Sequence, residues 1–591
     1  MKRNDPHACA LTIAALAFFA SFASFTQHAT AAPRRPYRPP TREELVVDQP
    51  DFDVVIAGGS TAAFAAAIAA AESGARTALL EPTDWVGGQI TSSGVPAIDE
   101  AWHTIRDPNT KRELLSVANI ARTPANIPPD FRKMLEATEC GECWVSRFCF
   151  RPDVFLDKQL LPLQKRAGDR LVVFLNTVVK QVATNKAGTQ IESLTAIRRT
   201  PKKGIANNGY DELPSKDLRD WYSTRDSDRF KKETLRFNGL NQAGRTTIFI
   251  DATEWGELLA LADAPYLIGT EAHEGDTHGN DRCGQATVFC FVEQYQKDPV
   301  DEPERGVSAT DVGFGEYKGQ KDAWQKIWTY RRLQGHGTPA VGDLCLQNWG
   351  YSEKTHEGGN DYPFGYLFKS KKDTAAERSD WHGGIDLAVL AAVERRALAW
   401  HEWFKNHTPP EINSRQITLA PEVMGTGHGL AKLPYIRDTR RSIGLDNYLL
   451  KFDDITGDPA KQTGTVFEDR IALGAYPADV HPIITCQMPE FVREAHDTLP
   501  FYIPFRALTN AKVENMLVAG KTMAQTFLVN SATREQPTEW STGTAAGVAA
   551  AYMAQHAQTS RAAYQQSLSE LQRLIAKRTP IDWTIPDDQN R

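Results

Sequence analysis

The sequence predicts an α/β fold, and three observations carry that prediction. The first is a strand–glycine turn–helix–strand unit packed into about 30 residues. Asp53-Val-Val-Ile-Ala57 is a short apolar run suited to a buried parallel strand, and it ends in glycines. Ala62 to Ser73 is dominated by alanine, the strongest helix former, with Gly74 placed to stop it, and Ala75 to Leu80 is a second apolar strand closed by Glu81. The second observation is the return of the same kind of strand much later in the chain, at Leu171-Val-Val-Phe-Leu175, Thr247-Ile-Phe-Ile250 and Asn515-Met-Leu-Val-Ala519. The third is a contrasting stretch from about Gly275 to Thr418, which carries Trp, Tyr, Asp and Gly in loops and one strong helix from Ile385 to Lys405. Ser560 to Lys577 reads as an exposed amphipathic helix followed by a frayed end. No internal repeat is visible.

The N-terminus is a different material. Lys2 and Arg3 precede an apolar run from Ala8 to Phe25, and Ala29-Thr30-Ala31 offers small residues for cleavage, the order of a secretory signal peptide over residues 1–31. A retained anchor is the alternative, since a run of about 18 residues just reaches across a bilayer. Lys2-Arg3 is not a twin-arginine pair, and the route of export stays open. No later run is long enough to span, so a mature chain without a membrane span is expected. Residues 32–51, rich in Pro, Arg and Glu, read as a linker. A hydrophobic fraction of 41%, a charged fraction of 24% and a formal charge of −7 without any Lys/Arg-rich patch describe an ordinary globular protein and give no sign of a nucleic-acid partner.

Export predicts an oxidising compartment. Without Cys9, the cysteines are Cys140, Cys143, Cys149, Cys283, Cys290, Cys345 and Cys486, an odd set, so one is free or paired between chains. Cys140-x-x-Cys143 followed by Cys149 is open to three readings: redox dithiol, metal site or structural disulfide. Zinc wants four ligands and no fourth lies nearby, so a structural disulfide within this cluster is the favoured reading and no metal is expected.

The chemistry begins at the first turn, Gly58-Gly59-Ser60-Thr61-Ala62-Ala63. A dinucleotide needs backbone N–H groups aimed at its pyrophosphate from the positive end of a helix, and glycines keep Cβ atoms out of the way. Gly58 holds the first glycine position and Ala63 the third, where a small side chain still permits close packing; Ser60 departs at the second, although its hydroxyl could donate to a phosphate oxygen. Glu81, about 20 residues on, is placed to accept hydrogen bonds from a ribose. An Ala-rich helix after a strand is also common packing. The unit is Rossmann-like and by itself does not choose between nicotinamide and flavin cofactors.

Further segments join it: Trp85-Val-Gly-Gly-Gln-Ile90, Phe249-Ile-Asp-Ala-Thr-Glu254, Leu433-Pro-Tyr-Ile-Arg437 with Arg440-Arg441, Ile503-Pro-Phe-Arg506, and the long run from Asn515 through Leu-Val-Ala-Gly-Lys521 to Asn530-Ser-Ala-Thr-Arg534 and Glu539-Trp540. On these residues, from Asp53 to about Ala554, the chain resembles the bacterial FAD-dependent oxidoreductases, often exported and sometimes labelled xanthan-lyase-like. The resemblance implies a glutathione-reductase-like FAD fold. Its parallel sheet is assembled from discontinuous segments (52–274 and 425–559), an α+β substrate or cap region is inserted at 275–424, and a C-terminal helix and tail occupy 560–591. It implies non-covalent FAD held by Gly58, Gly59, Ser60, Thr61, Ala62, Ala63, Glu81, Gly87, Gly88, Gln89, Asp251, Ala252 and Gly520. It adds Gly543, Thr544 and Ala545, in a small-residue run read as a helix start whose N-terminus would face the flavin N1–O2 edge. Ala63 for the usual third glycine and Lys521 for the Asp of wider flavoprotein families are departures that bear on the ribityl chain.

Candidate catalytic residues lie in Gly-rich loops or near these motifs: Trp349, Asn360, Asp361, Tyr362, Trp381, His382, Asp386, His428, Arg437 and Arg534. His428, in Gly425-Thr-Gly-His-Gly429, reads as a general base or as a turn histidine satisfied by backbone, the second favoured. Arg437, Arg440 and Arg441 read as an anion site or as structural ion pairs. Glu539 reads as facing the isoalloxazine or capping a helix near Thr542. The expectation is an exported, periplasmic or extracellular oxidoreductase that moves hydride from a small organic substrate (a sugar derivative, amine or alcohol) to FAD, with an electron acceptor the sequence does not name. The alternatives are a polysaccharide-processing lyase or carbohydrate-binding protein with a vestigial nucleotide fold, and an FAD enzyme with no net redox change.

Overall fold

The computed structural model describes residues 46–271, 273, 279–308, 312, 322–352, 357–493 and 496–587. The leader read at 1–31 and most of the linker lie outside them. In chain order the elements that position the site are β1 (Val46–Gln49), β2 (Val54–Ala57), α1 (Thr61–Glu72), β3 (Thr77–Leu80), β4 (Leu171–Phe174), β5 (Thr177–Thr184), β6 (Ile191–Pro201), β7 (Phe230–Asn238) and β8 (Ile248–Asp251). They continue with β9 (Phe291–Tyr295), β10 (Arg332–Gln334), β11 (Leu344–Gln347), α2 (Leu387–Asn406), β12 (Ile417–Leu419), β13 (Met516–Val518), α3 (Gln536–His556), α4 (Ser560–Gln566) and α5 (Leu568–Ile575).

The centre is a five-stranded sheet in the order β13-β8-β2-β3-β4. Every pair in it is parallel. Its strands read as unbroken apolar runs because β2, β3, β8 and β13 are buried along their whole length, covered on both faces. The register sets Ala57 against Leu80 on one side and Asp251 on the other, and Asp251 against Val518. The chain therefore leaves all four strands at one carboxyl edge, and the order reverses about β2, the kind of switch point where open α/β sheets bind ligands.

One face of this sheet carries α1 and α3. Their contact is close because both are lined with small residues: a Cβ added to Gly543 would lie 2.2 Å from the Ala62 carbonyl oxygen, and one on Gly547 the same distance from that of Ala66. A second sheet, β1-β7-β6-β5, packs alongside. Its edge strand β1 corrects the linker reading of residues 32–51, since Val46–Gln49 pairs in parallel with Thr234–Phe237. Between β8 and β13 the chain builds a four-stranded sheet, β10-β11-β9-β12, with α2. All its pairs are antiparallel, so the loop-rich stretch contains more strand than its composition suggests. The tail read as one exposed helix is two, α4 and α5, with Leu571 and Ile575 buried.

Cys143 bridges Cys149 within the predicted cluster, and Cys283 bridges Cys486; Cys140, Cys290 and Cys345 are unbridged. Among the described residues no helix is long and apolar enough to cross a membrane, and no cluster of His, Cys, Asp and Glu is suited to a metal ion.

Candidate active site

The glycine turn after β2 is shaped by what it touches. A side chain on Gly58 would strike Leu79 Cδ1 and the Leu80 carbonyl, both at 2.7 Å, and Gly59 has φ +110°, a conformation that glycine alone adopts without strain. Ser60 is the N-cap of α1: its Oγ accepts from the Ala63 amide at 3.0 Å and donates to the Ala252 carbonyl at 2.6 Å. The hydroxyl expected to reach a phosphate therefore ties the ends of β2 and β8 together. Thr61 Oγ1 donates to the Gly87 carbonyl at 2.8 Å. Gly88, at φ +57°, presses its α-carbon on the turn so closely that a Cβ would lie 2.4 Å from Ser60 Cα. Gly520, at φ +66°, completes the ring against Ala62. Gly58, Gly88, Asp251 and Gly520 thus meet at the start of one helix.

Glu81 ends β3, is buried and accepts from the Thr83 amide and hydroxyl. Burial pushes its carboxyl up to about 8, against the Thr83 hydrogen bonds. Asp251 is committed to its own turn, accepting from the Thr253 amide and hydroxyl and from the Leu259 amide. These bonds make its side chain part of the scaffold of the cradle. The reading of the small-residue run as a helix start is corrected. The helix begins at Gln536, with Pro537 in its first turn, so Gly543, Thr544 and Ala545 lie in its interior instead of forming an N-terminus, and Gly543 faces α1.

Gln89 leads from the cradle to a second feature, donating from Nε2 to the Arg534 carbonyl at 3.0 Å. Arg534 lines a cavity of about 520 Å³ together with Arg331, Tyr435, Arg437, His481 and Glu535. Each charge there is paired: Arg437 with Asp361 at 2.7 Å, Arg331 with Asp99 at 3.4 Å, and Arg534 with Glu535 and Asp479. His481 is clasped between Asp361 (Nδ1, 2.9 Å) and Asp479 (Nε2, 3.1 Å). Burial and Arg437 oppose its protonation, yet the two carboxylates outweigh them and raise its pKa. Glu535 is raised as well: burial, opposed by Arg534, lifts its carboxyl to about 7, and its Oε2 has no partner among the described residues. Trp102 and Trp144 stand exposed at the rim, and the ring of Trp144 is pinned by a bond from Nε1 to the Lys326 carbonyl beside the Cys143–Cys149 bridge.

Of the polar candidates in the sequence, Trp349, Arg437 and Arg534 line this cavity, and Asp361 stands directly behind it. The others build structure. His428 is buried in its turn, Nδ1 accepting from the Leu430 amide at 3.2 Å, and burial pushes it down to about 3; it lies outside the cavity lining, which favours the turn reading. Glu539 is also outside the lining, buried beside Lys521. Arg440 binds the carbonyls of Trp255 and Gly384, and Arg441 pairs with Glu271. Asn360 bonds three backbone groups, Trp381 donates to Glu257, and Asp386 caps α2. Tyr362 packs edge-on to Phe364, and His382 sits by Asp380. His481, Asp479, Arg331, Asp99 and Glu535 escaped the sequence reading because, apart from Asp479 and His481 two residues away, they come from distant stretches of chain; only Glu535, next to Arg534, was near a recognised motif.

The residues present fit FAD. A helix N-terminus with a glycine turn, an acidic strand end for a ribose and two glycines that no side chain could replace converge at a sheet switch point. No curated protein matches the sequence. Among solved structures, Mycobacterium smegmatis Sdh1 in complex with UQ1 is similar at 12% identity over 89% of this chain and 76% of that one, with a TM-score of 0.31. A variant of the E. coli quinol fumarate reductase FrdA gives 11% identity over 89% and 74%, with a TM-score of 0.28. L-Proline dehydrogenase from P. horikoshii gives 12% identity over 39% of this chain and a quarter of that one (25%), with a TM-score of 0.16. The sequence matches the family described as FAD dependent oxidoreductase over residues 53–207 and 221–575, most of its length. The chain belongs to the FAD dependent oxidoreductase family.

Proposed function

We propose that this flavoenzyme is exported and oxidises a small polar organic substrate, an alcohol, sugar derivative or amine, in the cavity walled by Arg437, Arg534 and Glu535. The observation that carries the proposal is the Gln89–Arg534 hydrogen bond, which joins the cofactor cradle to that cavity. Bound FAD supplies a two-electron acceptor for hydride. The protein must then position the carbon that loses hydride and take the proton from its oxygen or nitrogen. Glu535 suits the second task, since its carboxyl lies near neutrality in a buried wall of the cavity with one oxygen free. His481 has both ring nitrogens engaged by Asp361 and Asp479, so its part is to hold those carboxylates, and through them Arg437 and Arg534, in place. The arginines are held rigid by their partners, so they orient substrate without first being ordered.

Anaerobic mixing with a panel of alcohols, sugars and amines tests the reading: a substrate bleaches the flavin absorbance of the wild type. In Glu535→Gln the flavin stays bound while bleaching slows by about 100-fold. Flavin-independent cleavage of a polysaccharide by the apoprotein would contradict it. Export is supported by the leader-like N-terminus and by two disulfides, which persist in oxidising compartments. A mature N-terminus at Ala32 in protein recovered from outside the cytoplasm is the expected result.

A further inference from the structure

Beneath the glycine turn lies a buried group that the proposed chemistry does not use. Lys521 Nζ sits 2.7 Å from Glu254 Oε2 and 3.2 Å from Glu539 Oε1, and none of the three side chains is more than 4% exposed. Two carboxylates around one ammonium leave an uncompensated negative charge, which a protein interior tolerates poorly unless a proton or a ligand answers it. The hydrogen bonding is also incomplete. Glu254 Oε1 has no hydrogen-bond partner among the described residues, while Glu539 is met by Lys521 and by the Thr61 and Ala62 amides at the start of α1.

Their position says what could answer them. Glu254 lines a small cavity with Gly58, Gly59 and Thr253, at the pyrophosphate end of the cradle. Glu539 Oε1 is 3.2 Å from where a Cβ on Gly520 would stand, beside Ala62 of α1. On the far side, Lys521 Nζ is 5.6 Å from the ring centre of Tyr435, a wall of the substrate cavity. With the diphosphate at the glycine turn and the redox ring at that cavity, the triad would lie between them, where FAD carries a chain of hydroxyl groups. Lysine has only donors, so Lys521 cannot accept from those hydroxyls, whereas a carboxyl can accept and, when protonated, donate.

We infer that Glu254 and Glu539 bind the hydroxyl-bearing ribityl linker of FAD, with Lys521 holding the two carboxyls in place. The inference rests on the FAD reading of the cradle. Burial raises the carboxyls of both Glu254 and Glu539 against the pull of Lys521, which fits a group that keeps one proton to share with a ligand.

The test is titration of apoprotein with FAD and with an FAD analogue lacking ribityl hydroxyls, read by flavin fluorescence, in wild type, Glu254→Gln, Glu539→Gln and Glu539→Ala. Wild type is expected to bind the deoxy analogue about tenfold or more weaker than FAD. In Glu539→Ala the discrimination collapses towards one, while the melting temperature of the apoprotein stays within a few degrees of wild type. Equal binding of both flavins by wild type overturns the inference without any variant needing to fold, and so does full discrimination retained by the variants. Failure of wild type to bind FAD at all would instead remove the reading on which it rests.

Discussion

Ser60 carries two hydrogen bonds on one hydroxyl, one to the first turn of its own helix and one to the end of a strand far away in sequence. Ser60→Ala removes both and is expected to lower stability by about 1 kcal/mol, the usual magnitude for a lost N-cap, measured by urea unfolding of the apoprotein. Ser60→Gly, which restores the commoner glycine, costs only a few tenths. A loss of FAD affinity with unchanged apoprotein stability would instead return the hydroxyl to a phosphate. At this scale the sequence was legible where a glycine stands in a turn of recognisable pattern, as at Gly58 or Gly88. It was silent where a side chain acts across the fold. Nothing in the spelling of Asp361 or His481 announces that they will meet, and Arg440 and Arg441 read like Arg437 until their partners are seen.

The elements show the same division. The strands at β2, β3, β8 and β13 were visible because burial on both faces leaves an apolar run that needs no periodicity to be recognised. The start of α3 was misplaced because the cue taken for it, a run of Ser, Thr, Gly and Ala, exists for packing: Gly543 and Gly547 let α1 and α3 approach until backbone meets backbone. Gly543→Ala should cost about 2 kcal/mol in urea unfolding, as overpacking does where the neighbour is backbone and cannot turn aside; a change under about 0.5 kcal/mol would show that the helices part easily.

A second element-scale link ties α2 to the antiparallel sheet. His401 on α2 is fully buried between Glu293 of β9 and Glu302, with Lys405 also on Glu302. Burial opposes its charge, but the two carboxylates prevail and lift it to about 9. A histidine raised in the folded state stabilises fully below its unfolded value near 6.5 and loses that contribution as pH rises through about 9. Thermal melts between these values should therefore show wild type weakening with pH. His401→Gln should be flatter across the window and less stable at its acid end by about 3 kcal/mol. Parallel slopes for the two proteins would contradict the assignment.

Across the whole molecule, one sheet edge does the organising. Four strand ends contributed by the start, the middle and the end of the chain are brought to a single helix N-terminus, and the inserted antiparallel sheet contributes Arg331 and Asn348, at the ends of its strands, to the cavity walls. Cys283–Cys486 spans the chain between the inserted region and the returning segment, adding a covalent tie to the same assembly. The βαβ unit alone could be recognised without a fold, but it leaves the cofactor undecided; the converging turns and the family match carry that decision. The most direct test of this account is the visible spectrum of the purified wild-type protein before and after denaturation. Flavin bands that leave with the supernatant as free FAD, or that develop when apoprotein is given FAD, are the predicted result. A colourless protein that takes up no FAD, or a flavin that stays on the denatured chain, would contradict a cradle that grips it without a covalent bond.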